Sequence, residues 1–235
     1  MKTLAFLIVT LNLASSVYSQ TADAYYKNGN AKAEIKDYQG AILDYSKAIG
    51  INPKFAEAYY GRGRIFSSLR DYKSAISDYT KGIEINPKYK DAYFTRGLFK
   101  SGLNDYTGAV MDFTNAIKIN PKDEKAYYLR GSIKSELKDY VGAIADYTTA
   151  IEVNPKDSRY FHERGLAKGF LHDYMGAIGD YTNAIEINPN KSESYYNRGL
   201  TKFGIGQKDS GCIDIMKAGE LGFVKAYEAT KKYCK

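Results

Sequence analysis

The chain has 235 residues, of which 44% are hydrophobic and 26% charged, an ordinary balance for a folded protein of one or two domains. Its formal charge of +7 favours weak attraction to acidic surfaces. No block of five or more like charges occurs, which argues against a nucleic-acid-binding arm.

The N-terminus reads as a leader. Lys2 supplies a positive start, Leu4 to Leu13 is a mostly apolar run, and small and polar residues follow from Ala14 to Gln20. Val17 and Ser19 suit the −3 and −1 positions of a signal peptide, so residues 1–19 are set apart from the fold and cleavage is placed before Gln20. The apolar run is too short to span a bilayer. These features predict a secreted or periplasmic protein with no stable membrane insertion after cleavage. No cysteine near the cleavage site indicates a lipid anchor.

The rest of the chain repeats. All of its prolines, Pro53, Pro87, Pro121, Pro155 and Pro189, fall at intervals of 34 residues, each preceded by an asparagine. The period divides the chain into repeats at 22–55, 56–89, 90–123, 124–157 and 158–191. A degenerate sixth copy follows at 192–223, then a short terminal helix at 224–235. Each repeat predicts two helices. In the second copy, Tyr59, Gly63, Phe66 and Leu69 share one helical face, and Ala75, Ile76, Tyr79 and Ile83 share another. The Asn-Pro pair ends the second helix, because a residue before proline is pushed out of the α region. An aspartate stands at the turn between the helices in every full copy (Asp37, Asp71, Asp105, Asp139 and Asp173), where it suits the free N–H groups of the following helix. In the sixth copy Gln207 takes that place and the proline is missing. Lys225, Glu228, Lys231 and Lys232 give the terminal helix the wet outer face of a cap.

These residues resemble the tetratricopeptide repeat (TPR) family. The family's aromatic, then glycine four residues on, stands here as Tyr25/Gly29, Tyr59/Gly63, Tyr93/Gly97, Tyr127/Gly131 and Phe161/Gly165. Its later alanine–aromatic pair is Ala41/Tyr45, Ala75/Tyr79, Ala109/Phe113, Ala143/Tyr147 and Ala177/Tyr181. The family's opening tryptophan is replaced throughout by Tyr or Phe. The resemblance implies an all-α fold: a right-handed superhelical solenoid of antiparallel helix pairs with a C-terminal capping helix. It also implies a concave groove lined by the first helix of each pair. By that resemblance Tyr26, Tyr60, Phe94, Tyr128, His162 and Tyr196 face the groove. Asn30, Arg64, Leu98, Ser132, Leu166 and Leu200 lie one turn further along the same faces. An aromatic row with mixed polar and apolar neighbours suits an extended peptide or a partner helix. Some members clamp a chaperone's terminal carboxylate. Asn30 matches one clamp asparagine, but Tyr26 stands where the clamp has a lysine, so that partner is not expected.

Arginine precedes the glycine in copies two to six (Arg62, Arg96, Arg130, Arg164 and Arg198), and aspartate recurs on every second helix (Asp44, Asp78, Asp112, Asp146, Asp180 and Asp214). Because the arginine is missing from the first copy, which has no preceding neighbour, each aspartate is expected to pair with the arginine of the next repeat. The two cysteines, Cys212 and Cys234, sit on the last two helices, and in an oxidising compartment they are expected to form a disulfide. No nucleotide loop or nucleophile elbow is present, and His162 and His172 have no recurring acid or cysteine beside them. No cofactor, metal or catalytic site is expected. The sequence therefore points to a non-catalytic scaffold or adaptor with a protein or peptide partner. Recognition of a glycan or cell-wall fragment, or a structural place in an envelope or secretion assembly, are the alternatives.

Overall fold

The computed structural model describes residues 21–234. The expected leader and its cleavage site therefore lie outside the described residues. Helix α1 covers 21–34 and is followed by α2 (Tyr38–Ile51), α3 (Ala56–Ser68), α4 (Tyr72–Ile85), α5 (Lys90–Gly102) and α6 (Tyr106–Ile119). Then come α7 (Glu124–Glu136), α8 (Tyr140–Val153), α9 (Ser158–Phe170), α10 (Tyr174–Ile187), α11 (Ser192–Gly204), α12 (Lys208–Glu220) and α13 (Val224–Tyr233). No strand occurs among the described residues, and no helix there is long and apolar enough to cross a membrane. The chain divides after Ile119 into two compact units, α1–α6 and α7–α13, in each of which consecutive helices pack side by side.

Two backbone devices cut the chain into helices of similar length. At the turn within each pair, one residue enters the left-handed region: Lys36, Arg70, Asn104, Lys138 and His172 with φ of 61–63°, and Gly206 at 86°. The next residue caps the second helix. Asp37, Asp71, Asp105, Asp139 and Asp173 accept from the N–H three residues on, at 2.9–3.1 Å. Gln207 makes no such bond, so α12 starts without a side-chain cap. The connection between pairs is closed by asparagine. Oδ1 of Asn52, Asn86, Asn120, Asn154 and Asn188 accepts from the N–H two residues on, at 3.1–3.2 Å. This Asx turn explains why the residue before each proline is asparagine in particular.

The pairs close on aromatic rings. Tyr45 is buried between two glycines, and a Cβ on either Gly29 or Gly61 would lie 2.8 Å from its ring. Tyr79, Phe113, Tyr147 and Tyr181 occupy the same register, each with a fully buried alanine one turn before it. In the sixth copy Gly211 and Ile215 take these two places, so α11 and α12 meet backbone to backbone: a Cβ on Gly199 would lie 2.7 Å from the Gly211 carbonyl oxygen. Cys212 and Cys234 are joined by a disulfide with Cα atoms 5.5 Å apart, which ties the end of α13 to α12. The polar residues of α13, Lys225, Glu228, Lys231 and Lys232, are exposed, while Ala226 and Ala229 pack inward.

The expected pairing of each aspartate with the next repeat's arginine is not what forms. Each arginine grips the aspartate of its own pair with two N–H groups: Arg62 to Asp78, Arg96 to Asp112, Arg130 to Asp146, Arg164 to Asp180 and Arg198 to Asp214, at 2.6–2.9 Å. The reason is the close crossing within a pair, which brings a planar guanidinium face to face with a buried carboxylate. The link to the preceding repeat exists but runs through a hydroxyl. The third nitrogen of Arg62, Arg96, Arg164 and Arg198 donates to Ser46, Thr80, Thr148 and Thr182 respectively, at 2.9–3.0 Å. The first repeat has Asn28 in place of the arginine, and there Lys32 sits 2.7 Å from Asp44. A second cation one turn after the arginine completes most rungs: Lys100, Lys134, Lys168 and Lys202 lie 2.8–3.0 Å from Asp112, Asp146, Asp180 and Asp214.

Candidate binding groove

The odd-numbered helices carry every residue assigned to the groove from sequence, and the structure sorts these residues into three kinds. The aromatic row is half buried. Tyr26 packs on Tyr45 and Phe55, Tyr60 on Tyr79 and Tyr89, and Phe94 on Phe113, with ring centroids 4.6–5.9 Å apart. In the second unit Tyr128 packs on Tyr147 and Tyr160, and Tyr196 on Phe223, at 4.8–6.0 Å. These rings therefore serve the core with one edge and leave the other open. The residues one turn on are more open: Arg64 and Leu98 are exposed, and Asn30, Ser132, Leu166 and Leu200 are half exposed.

His162 is the exception. It is only 6% exposed, its ring lies 5.7 Å from that of Tyr181, and Nδ1 is 2.8 Å from Ser194 Oγ on α11. Burial pushes its pKa down to about 4, with Lys191 acting in the same direction and Glu193 opposing. A neutral imidazole here locks α9 to α11; it does not offer itself to a ligand. The His162–Ser194 pair is not a nucleophile–base pair either, since Ser194 is fully buried and no substrate reaches it.

Three cavities open between successive odd-numbered helices. One of about 430 Å³ in the first unit is lined by Tyr26, Asn30, Glu34, Tyr45, Arg64 and Ser68, among others. Its floor is polar: the Tyr45 hydroxyl donates to Asn30 Oδ1 at 2.7 Å. Burial raises the Tyr45 pKa to about 12, Tyr26 adding to the effect and Arg64 opposing it, so this hydroxyl is a donor at any ordinary pH. In the second unit a cavity of about 300 Å³ lies between α7 and α9, with Ser135, Glu136, Tyr140, Glu163, Leu166 and Phe170 in its wall. Another of about 310 Å³ lies between α9 and α11, with Leu166, Phe170, Tyr181, Asn197 and Leu200. Glu163, Glu136, Tyr140 and Phe170 were not singled out from the sequence. Tyr140 does recur, with Tyr38, Tyr72, Tyr106 and Tyr174, but Glu136 and Phe170 are unlike residues at one repeat position and Glu163 stands alone at its own, so no period marks the set. A fourth cavity, of about 390 Å³ between α12 and α13, is lined by Met216, Tyr227 and Thr230.

With this geometry in hand, known proteins are informative. Family models described as "Tetratricopeptide repeat" match residues 56–89, 90–123 and 124–157, and one described as "TPR repeat" matches 29–69. Together they run without a gap from 29 to 157. A search of curated proteins returned no match. Among solved structures, the chain is similar to that described as "YrrB: a TPR protein with an unusual peptide-binding site" (21% identity, 80% of this chain and 97% of that one, TM-score 0.72). It is also similar to the MamA protein (23% identity, 74% and 95%, TM-score 0.68) and to Pseudomonas aeruginosa pilF (16% identity, 92% and 99%, TM-score 0.68). At these identities the likeness concerns the fold alone.

Proposed function

The chain belongs to the tetratricopeptide repeat family, and from that premise we propose that it is a non-catalytic scaffold that holds an extended segment of a protein partner against its odd-numbered helices. One observation carries the reading. The cavities of about 430, 300 and 310 Å³ open at junctions between successive odd-numbered helices, where one turn of helix places Asn30, Arg64, Leu166 and Leu200 at their walls. Within the second unit, the two small, chemically different recesses on either side of α9 suit successive side chains of one extended segment better than a single compact ligand. That a similar fold is described as having a peptide-binding site is in keeping with this. The leader expected at residues 1–19 supports action outside the cytoplasm, in the periplasm or beyond the cell, where a disulfide such as Cys212–Cys234 persists.

The test is capture of a partner from envelope and extracellular extracts by the folded protein, beside an Arg64→Ala/Leu98→Ala variant. Both side chains are exposed, so the variant keeps its core, whereas truncating Tyr60, Phe94 or Tyr128 would also remove half-buried rings. A partner held by the native chain and lost by the variant supports the reading. A partner held equally by both places the working surface elsewhere, and none captured by either counts against a scaffold role.

A further inference from the structure

Glu163 stands apart from the buried aspartates of the even-numbered helices. Asp78, Asp112, Asp146, Asp180 and Asp214 are each gripped by an arginine, and Asp44 meets Lys32. Glu163, half buried on α9, has no hydrogen bond or ion pair to any described residue. Arg164 and Lys168 on its own helix are committed to Asp180, and Lys134 on α7 to Asp146. Desolvation raises the Glu163 pKa; Lys191 opposes this through space and Glu136 adds to it. A carboxylate left unpaired at a half-buried site costs stability, and the fold gives no reason for it. Nor does the repeat demand an acid there. The equivalent positions in the six copies hold Lys27, Gly61, Thr95, Leu129, Glu163 and Asn197.

What surrounds Glu163 is a recess of about 300 Å³ with Glu136 beside it and Lys138 also in the wall. One wall is aromatic: the rings of Tyr140 and Phe170 stack with centroids 4.7 Å apart and planes 10° from parallel, and Phe170 is 62% exposed. Two carboxylates and a flat aromatic face are the surroundings that an ammonium or guanidinium seeks, through charge-assisted hydrogen bonds on one side and the ring quadrupole on the other. A metal ion fits less well, since no group of three or more His, Cys, Asp or Glu able to hold one exists among the described residues.

We propose that the recess between α7 and α9 receives a basic side chain, arginine or lysine, of the partner segment, with Glu163 as its counter-ion and the Tyr140–Phe170 pair as its platform. This rests on the scaffold reading for its biological meaning, but its test does not need the partner. Isotope-labelled protein is titrated with N-acetylarginine amide, N-acetyllysine amide and the uncharged N-acetylnorleucine amide, and backbone amide shifts are followed by NMR. The basic amides are expected to move Ser135, Glu136, Glu163 and Leu166 and to bind at least tenfold more tightly than norleucine. Glu163→Gln is expected to weaken them at least tenfold while leaving the thermal midpoint unchanged or higher, since it removes an unpaired charge and no contact.

Equal binding of norleucine, or full binding by Glu163→Gln, overturns the proposal. So does a response at these amides to calcium chloride with none to the basic amides. If the basic amides bind as expected but no partner is captured from extracts, the scaffold reading fails and the recess stands. If a partner is captured but the amides do not bind, the reverse holds.

Discussion

Removing one rung of the charge ladder tests how the pairs are held together. Asp180 is 3% exposed at its side chain and carries two cations, Arg164 at 2.7 Å and Lys168 at 2.8 Å, themselves 15% and 20% exposed. Asp180→Ala leaves both without their counter-charge. Breaking a buried pair by removing one partner costs about 3–5 kcal/mol. Because both cations retain some contact with water, we expect the low end, about 3 kcal/mol. Arg164→Met is the milder change. It leaves Asp180 with Lys168 and forfeits the link to Thr148, so about 1–2 kcal/mol is expected. The double-mutant cycle between Arg164 and Asp180 should show a coupling of about 2 kcal/mol, while the cycle between Arg164 and Asp146 of the preceding repeat should stay below about 0.5 kcal/mol. Urea unfolding followed by circular dichroism reads the midpoint, where 3 kcal/mol amounts to about 1 M at a slope near 3 kcal/mol/M. Hydrogen exchange in α9 and α10 localises the loss, which matters because repeat arrays need not unfold in one step. A larger coupling of Arg164 to Asp146 than to Asp180 would refute the pairing within repeats, and an Asp180→Ala cost below 1 kcal/mol would refute its energetic weight.

Three further outcomes follow from the backbone, the cross-link and the buried imidazole. Lys138 holds φ at 63°, a region that costs a side-chain-bearing residue about 1 kcal/mol, so Lys138→Gly should raise stability by about 0.5 kcal/mol after the entropy glycine adds to the unfolded chain, and Gly206→Ala should lower it by about 1 kcal/mol, both by urea midpoint. Reducing Cys212–Cys234, which closes a loop with a sequence separation of 22, should cost about 3 kcal/mol, visible as faster hydrogen exchange in α13 while α7–α10 are unchanged. His162 titrates at about 4 when folded and near 6.5 when unfolded, so its contribution is complete above about pH 6.5, falls as pH drops from 6.5 towards 4, and changes little below that; the loss is on the order of 3 kcal/mol, and His162→Phe should flatten that part of the stability–pH profile.

The fold was legible because its requirements repeat. An alanine, an aromatic, a glycine and an Asn-Pro step return every 34 residues, and each has one physical job that the structure displays. The ladder was misassigned because Arg164 lies 16 residues before Asp180 and 18 after Asp146, and both separations place the charges on adjoining helices. The distance of closest approach decides between them, and it is set by glycine and alanine packing within a pair, which spacing alone does not rank. The lysine rung escaped notice because the second copy carries Phe66 there, between Lys32 and Lys100. The burial of His162 did leave a trace. The first four copies have alanine at the place of Ser194 (Ala24, Ala58, Ala92 and Ala126), so a histidine in one copy and a new hydroxyl in the next depart from the pattern together.

Six copies in one chain also serve as comparisons with one another. Positions that answer to packing barely vary: the glycine of the first helix is kept in all six, and the buried aspartate of the second helix likewise. One residue after that glycine, every constraint of packing is met by Asn30, Arg64, Leu98, Ser132, Leu166 and Leu200 alike, a set with no common size or charge. The positions occupied by Lys27, Gly61, Thr95, Leu129, Glu163 and Asn197 are equally unlike, and of these only Gly61 answers to packing, against the Tyr45 ring. A scaffold that had only to stack would have no reason to place an arginine in one recess, an unpaired glutamate in another and leucines in a third. Unlike side chains at equivalent places on the helices are what the proposed partner, with its fixed sequence, would need in order to be read.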